Sequence, residues 1–249
     1  MNDVALLADL HRRQERQGPG GDAETLLAIT LAELSRARSL RIADIGCGTG
    51  ASTLVLARTL DADITAVDLL PEFLEDLRQR ADEEGLGRRI VTHCASMNDL
   101  PFEPASLDAI WSEGAIYNIG FQTGIQAWRR FLKPGGILAV SELTWLSNER
   151  PDELDEHWAK EYPEVATASA KLGALEAHGY SPIGYFALSE RCWIDNYYLP
   201  LREQFDAFLA RHHNSDAVRA IVASERAEMS LYERFSAFVS YGYYVARAQ

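Results

Sequence analysis

Asp44-Ile45-Gly46-Cys47-Gly48-Thr49-Gly50 is the stretch that decides how this chain folds. The run Arg41-Ile42-Ala43-Asp44-Ile45 leading into it is short and branched, as a strand requires, while residues 51–60 behind it carry Leu54, Val55 and Arg58 at helical spacing. Glycines between a strand and a helix allow the unusual backbone angles of a tight turn, and they leave room for a ligand against the main chain. In a doubly wound sheet this turn lies just past the carboxyl ends of the strands, where nucleotide-like ligands bind.

Outward from the turn, the same alternation repeats. Ile64 to Val67 forms a second strand-like run ending at Asp68, which is placed to accept hydrogen bonds from both hydroxyls of a ribose. Residues 71–84 open with Pro71 at a first helical position and set Phe73, Leu74 and Leu77 on one face. Residues 90–94, 107–111 and 137–140 are three more strand-like runs, the last introduced by the turn Lys133-Pro134-Gly135-Gly136. Five strands joined by helical crossovers imply a parallel sheet covered on both faces. Residues 185–188 and 238–246 read as two further strands closing one sheet edge, separated by helical stretches at 201–211 and 215–234. The expected class is α/β, a Rossmann-like doubly wound sheet. Residues 1–249 are expected to form a single domain: an N-terminal helical cap (1–39), a ligand-binding core (40–145), and a remainder (146–249) holding a lid insertion, helices and the sheet-closing strands.

Composition narrows the partners. The 249 residues include 24 Lys plus Arg against 37 Asp plus Glu, a formal net charge of −13, which repels phosphate backbones and anionic lipid surfaces. Nucleic acid and membranes are therefore not expected as partners. Cys47, Cys94 and Cys192 are far apart, odd in number and without a CxxC pair, so neither a disulfide framework nor a zinc knuckle is indicated. The histidines show no HxH or HExxH spacing, so no metal site is expected. Without an apolar run of about 18 residues or a signal-like N-terminus, a reducing cytoplasm fits the sequence best.

The glycines alone do not choose the ligand, since Gly46-x-Gly48-x-x-Ala51 also satisfies the dinucleotide fingerprint. The surroundings do. A whole helical segment precedes the first strand, and Asp44 stands where its charge disfavours a pyrophosphate and favours a ligand with a cationic amino-acid end. Residues 43–50 together with Val67-Asp68, Leu100-Pro101-Phe102, Leu107-Asp108-Ala109-Ile110 and Leu132-Lys133-Pro134-Gly135-Gly136 resemble the class I S-adenosylmethionine-dependent methyltransferases, in particular the small-molecule group that includes the ubiquinone- and menaquinone-biosynthesis enzymes. The resemblance covers roughly residues 40 to 145. It implies a seven-stranded sheet with an antiparallel last strand and S-adenosylmethionine as methyl donor, released as S-adenosylhomocysteine. It further implies Asp44, Gly46 and Gly48 near the methionyl part of the cofactor, Asp68 on the ribose, and Leu69 and Met97 beside the adenine. Ser96 stands where the family often has an acid for the adenine amino group, and Ser112 completes the expected cofactor set. Gln14 to Gly20 breaks the N-terminal helical pattern with Gly18-Pro19-Gly20; a similar element in relatives folds over the cofactor, which places Gln17 and Gly18 there. An ordinary interhelical turn is the competing reading of that segment.

On the acceptor side, Glu113 follows the fourth strand and Glu142 ends the fifth, both at the carboxyl edge of the sheet. Uncharged and aromatic neighbours suggest partial burial and a raised pKa, suited to a general base or to holding a cationic acceptor. Tyr117 is expected to orient the acceptor or to donate to the developing product. Residues 149–164 are too polar to be core throughout and are expected to act as a substrate lid, while His157, Trp158, Tyr162, Trp193, Tyr197 and Tyr198 are read mainly as core aromatics. The expected activity is methyl transfer to a small-molecule acceptor by in-line displacement. A nicotinamide-dependent oxidoreductase and a non-catalytic cofactor-binding protein are the alternatives. Neither the acceptor, the atom methylated nor the oligomeric state can be read from the sequence.

Overall fold

The computed structural model describes residues 3–35 and 39–249. Residues 1–2 and 36–38 of the expected N-terminal cap lie outside the described residues. Two helices come first, α1 (Asp3–His11) and α2 (Asp22–Leu31), followed by β1 (Leu40–Ile45), α3 (Ala51–Thr59), β2 (Ala62–Asp68), α4 (Pro71–Glu83), β3 (Ile90–Cys94) and β4 (Leu107–Glu113). Next come α5 (Phe121–Trp128), β5 (Leu132–Trp145), α6 (Asp152–Glu161), the two-residue β6 (Ala166–Thr167), α7 (Ala168–Ala177) and β7 (Tyr180–Ala187). The chain closes with α8 (Glu190–Trp193), α9 (Leu199–Arg211), α10 (Asp216–Phe235) and β8 (Val239–Ala248).

The strands lie in the order β3-β2-β1-β4-β5-β8-β7, with β6 pairing β5 off this path. Strands β1 to β5 pair in parallel, whereas β8 runs antiparallel to both β5 and β7. The sheet is the expected Rossmann-like one, with the final strand inserted antiparallel beside β5 and a short eighth strand added. Alternation along each strand sends side chains to two cores. Ile42, Ala109, Trp111, Ala139, Tyr243 and Val245 pack on one face, and Ala43, Ile45, Ile110, Leu138, Val140 and Tyr244 on the other.

Two strands run longer than their apolar signal. Strand β5 continues from the expected Ile137–Val140 through Glu142 to Trp145, because its antiparallel partner β8 pairs with it residue by residue as far as Val239. Edge strand β7 begins at Tyr180, five residues ahead of the expected start, and Leu188 lies just beyond its end. Pro182 and Gly184 in its first half break the strand pattern in sequence, and the register shifts between them, as an edge strand permits.

The glycine turn fixes where the site lies. Gly46, Gly48 and Gly50 all take positive φ, at 73°, 55° and 91°. A Cβ on Gly46 would stand 2.4 Å from that of Ala115 and 2.5 Å from the Met97 Cε. The backbone N–H groups of Gly46 and Cys47 both donate to the Val67 carbonyl, at 2.8 and 3.1 Å, so the turn is tied to the end of β2. Ser112 donates to the Ile45 carbonyl at 2.8 Å and ties it to β4.

Candidate active site

A cavity of about 830 Å³ opens at the carboxyl ends of β1, β2 and β4, within the range of small-molecule sites. Its floor is the glycine turn, Asp68, Leu69, Ser96, Met97 and the segment from Glu113 to Tyr117. Its roof comes from residues remote in sequence: Ala8 and His11 on α1, the strap Arg16 to Pro19, Trp158 and Glu161 on α6, and Glu225 and Glu228 on α10. Tyr162, Trp193, Tyr197 and Tyr241 fill the wall between roof and sheet.

At the glycine end, Asp68 accepts the Gly48 N–H on Oδ2 at 2.9 Å and the Leu70 N–H on Oδ1 at 3.0 Å. Burial raises its pKa, and these backbone donors oppose the rise. The Leu69 N–H is a further backbone donor to it, and a carboxylate with about four lone-pair sites still has acceptor capacity left. Gln17 crosses from the strap, its Oε1 accepting the Thr49 N–H at 2.9 Å and its amide donating to the Thr49 hydroxyl at 3.0 Å. Gly18 beside it meets nothing within 4 Å of where a Cβ would be. Ser96 sits on the wall and its hydroxyl accepts from the Asn98 N–H at 3.3 Å.

Two expected cofactor residues stand behind the wall. Ser112 is fully buried, and its hydroxyl serves the link between β4 and β1. Asp44 is also fully buried beneath the turn, with Oδ2 accepting from Ser52 at 2.8 Å and Thr53 at 2.6 Å. Its Oδ1 has no partner, and burial pushes its pKa up to about 7. Asp44 meets the cavity only through Ser52, which does line it.

The two strand-end glutamates differ sharply. Glu113 lines the cavity but is saturated: Arg16 Nη1 donates to Oε2 at 3.0 Å, while Thr25 (2.7 Å), Trp111 Nε1 (2.9 Å) and Tyr243 (3.0 Å) all donate to Oε1. A carboxylate so fully engaged is an anchor for its surroundings, and it has little capacity left for an incoming proton donor. Glu142 lies behind the wall, buried, with Oε1 accepting the Leu143 N–H at 2.6 Å and facing Lys171 Nζ at 4.0 Å. Desolvation pushes its pKa up to about 7, against the pull of Lys171. Its Oε2 accepts at 3.3 Å from the hydroxyl of Tyr162, which does reach the cavity. Tyr117 stands beside it, 41% exposed, with its ring edge-on to that of Tyr162 at 6.0 Å.

The model of a methyltransferase domain matches residues 42–136. That stretch of the chain is similar to methyltransferase domains. Over 159 residues the chain is 27% identical to the 27-O-demethylrifamycin SV methyltransferase of Amycolatopsis mediterranei, which covers 63% of this chain and 58% of that protein. Over 145 residues it is 32% identical to the demethylmenaquinone methyltransferase of Tropheryma whipplei, covering 57% and 52%. The chain thus spans little more than half the length of these curated relatives. Among solved structures, it is similar to a SAM-dependent methyltransferase from Geobacter sulfurreducens in complex with S-adenosyl-L-homocysteine, with a TM-score of 0.84 at 16% identity over 100% of this chain and 99% of that one. At that identity the likeness establishes a shared fold.

Outside residues 42–136, the sequence carries no sign of Glu225, Glu228 and His11 as lining residues and marks Tyr162 only as core. Glu225 and Glu228, three apart on a charged helix, look like a solvated face in sequence. Nothing local announces that the face turns into a cavity. Glu228 accepts from the Tyr198 hydroxyl at 3.1 Å, and Glu225 lies 3.6 Å from His11 Nε2. Among the described residues, no helix is long and apolar enough to cross a membrane, and no cluster of His, Cys, Asp and Glu could hold a metal ion.

Three carboxyls, Asp44, Glu142 and Glu228, are each pushed up to about 7 by burial. For Glu228 the neighbouring Glu225 and Glu161 add to the rise, while Tyr198 and His11 oppose it. The unfolded chain releases these protons near the ordinary value of about 4, so the folded state holds more protons in between. Their stabilisation is complete below about pH 4 and is lost as pH rises through about 7. The ligand-free protein is expected to melt at a lower temperature at about pH 8 than at about pH 6, with a smaller drop in Glu228→Gln. Calorimetric melts showing the same drop in the variant would contradict the assignment for Glu228.

Proposed function

We propose that this chain transfers a methyl group from S-adenosylmethionine to a small-molecule acceptor held in the same cavity. The observation that carries the reading is Asp68: backbone N–H groups of Gly48, Leu70 and Leu69 orient its carboxylate at the cavity lining and leave it acceptor capacity for ribose hydroxyls. The rest of the cradle fits the same ligand. Gly46 and Gly48 let it approach the main chain, Leu69 and Met97 supply apolar flanks for an adenine, and Ser96 offers a hydroxyl at the rim. The strap carrying Gln17 and Gly18 lies over the turn, and the charge of Asp44 behind it favours a cationic amino-acid end. A dinucleotide fits less well, because Gln17 already occupies the Thr49 N–H at the start of α3 that would face a pyrophosphate.

S-adenosylmethionine, when bound, supplies a methyl group on a sulfonium and leaves as S-adenosylhomocysteine. What the chain contributes is alignment and exclusion of water, which together are worth roughly 7–11 kcal/mol when the geometry is good. The strap and α6 cover the cavity, with α6 as the lid over residues 149–164. Glu113 holds the strap through Arg16. Tyr117 and Tyr162, neighbouring rings on the cavity lining, orient the acceptor together. Where the nucleophile carries a proton, it passes to the Tyr162 oxygen as the Tyr162 proton moves to Glu142, a carboxylate whose pKa near 7 suits it to that task. The full reading is a single enzyme domain in a reducing cytoplasm without a nucleic-acid partner, supported by the free thiols of Cys47, Cys94 and Cys192 and by the net charge of −13.

Asp68→Ala removes the carboxylate expected to bridge the ribose. At about 1.5–3 kcal/mol for bonds to a charged group, S-adenosylhomocysteine should bind at least about tenfold more weakly in calorimetry. Unchanged affinity would sink the cofactor assignment. The proton route is tested separately. Glu142→Gln and Tyr162→Phe should each lower turnover by about tenfold or more, read as S-adenosylhomocysteine release with an acceptor found by screening, while cofactor affinity stays the same. Wild-type turnover in both variants would remove the pair from the mechanism.

A further inference from the structure

Part of the cavity lining has a chemistry distinct from that of the cofactor cradle. Two carboxylates from one helix, Glu225 and Glu228, belong to it with the rings of Tyr117, Trp158, Tyr197 and Tyr241. The charge of Glu228 acts on Tyr117, Tyr197 and Tyr241 alike, so the three rings and the carboxylate share one neighbourhood. Positive charge is scarce around it. Arg16 is committed to Glu113 at 3.0 Å and to Asp22 at 3.1 Å, and His11 lies 3.6 Å from Glu225 while also acting on Glu228. Glu228 receives one neutral donor, the Tyr198 hydroxyl, and among the described residues no cationic side chain pairs with it.

Burying a carboxylate without a cation costs free energy, which a ligand cation would recover. Aromatic faces attract the same charge, most strongly when water is excluded. An anionic or uncharged polar acceptor would gain from neither. We infer that the methyl acceptor is an amine, bound as a cation with its nitrogen between Glu228, Glu225 and the rings of Tyr117, Tyr197 and Tyr241. This rests on the methyl-transfer reading given above and adds the substrate class to it.

The step balances. A protonated amine first gives up one proton to the Tyr162 and Glu142 pair, and the freed nitrogen lone pair forms the new N–C bond. The S–C bond breaks with its electron pair staying on sulfur, and the N-methylated product carries the positive charge. This part of the lining therefore holds a cation before and after transfer, and the aromatic rings stabilise both.

The test uses benzyltrimethylammonium, a permanent cation that cannot be methylated, against uncharged benzyl alcohol at matched ionic strength. Trp158 and Trp193 line the cavity and report binding by fluorescence. With the protein saturated by S-adenosylhomocysteine, the cation should bind saturably and at least about tenfold more tightly than the alcohol, and Glu225→Gln/Glu228→Gln should lose at least about tenfold of the cation's affinity. Equal binding of cation and alcohol overturns the inference, as does a folded double variant that binds the cation like the wild type. Should the double variant fail to fold, the wild-type ratio of cation to alcohol decides. Failure of S-adenosylhomocysteine itself to bind would instead refute the cofactor reading beneath it.

Discussion

Glu113 is the point on which the cavity depends. Its single carboxylate gathers Arg16 from the strap, Thr25 from α2, Trp111 from β4 and Tyr243 from β8, four residues brought together from the two ends and the middle of the chain. A buried carboxylate is tolerable only when its oxygens are well supplied with donors, and here one of the donors is itself a buried cation. The charge pair therefore does what a hydrophobic contact would do less specifically: it sets the position of the strap over the glycine turn. Gly20 N–H on the Cys192 carbonyl and the Asn196 amide on the Gly20 carbonyl complete that docking from the other side. The result is a roof made from both termini over a floor made from the middle.

How much of this the sequence disclosed follows from the range of the interactions. The turn at residues 44–50, Asp68 at the end of β2 and the strands around them are local patterns, legible because backbone angles and alternation are written in neighbouring residues. Gln17, Gly18, Gly46, Gly48, Asp68, Leu69, Ser96, Met97, Glu113 and Tyr117, named from the sequence, all line one cavity. Asp44, Ser112 and Glu142 stand behind it, since alternation along a strand tells which face a residue takes but not whether a neighbouring element covers it. Glu225, Glu228 and His11 escaped because helix periodicity records a polar face without recording what that face meets. Tyr162 escaped because an aromatic reads as core wherever it falls. Pro182 and Gly184 hid half of β7 for the opposite reason, a local signal overruled by pairing with β8.

The electrostatics of the cavity link the parts. A strongly acidic chain has no shortage of carboxylates at its surface, yet Asp44, Glu142 and Glu228 are held where burial raises their pKa to about 7. Each lies close to a different stretch of the lining: Asp44 under the turn, Glu142 behind Tyr162, Glu228 beside Tyr198. Such placement costs stability in the ligand-free protein. It also surrounds the cavity with negative potential that a sulfonium or an ammonium would relieve, so the free energy withheld from folding is returned on binding.

On the proposed function, one cavity holds the cofactor at the glycine turn and the acceptor beside Glu225, Glu228 and the aromatic rings. A crystal structure of the protein with S-adenosylhomocysteine tests it most directly. The ribose hydroxyls are expected within hydrogen-bond distance of Asp68 and the sulfur directed toward Tyr117, Tyr162 and Glu228. An adenosine bound away from Asp68, or a sulfur directed away from those three residues, would contradict this arrangement.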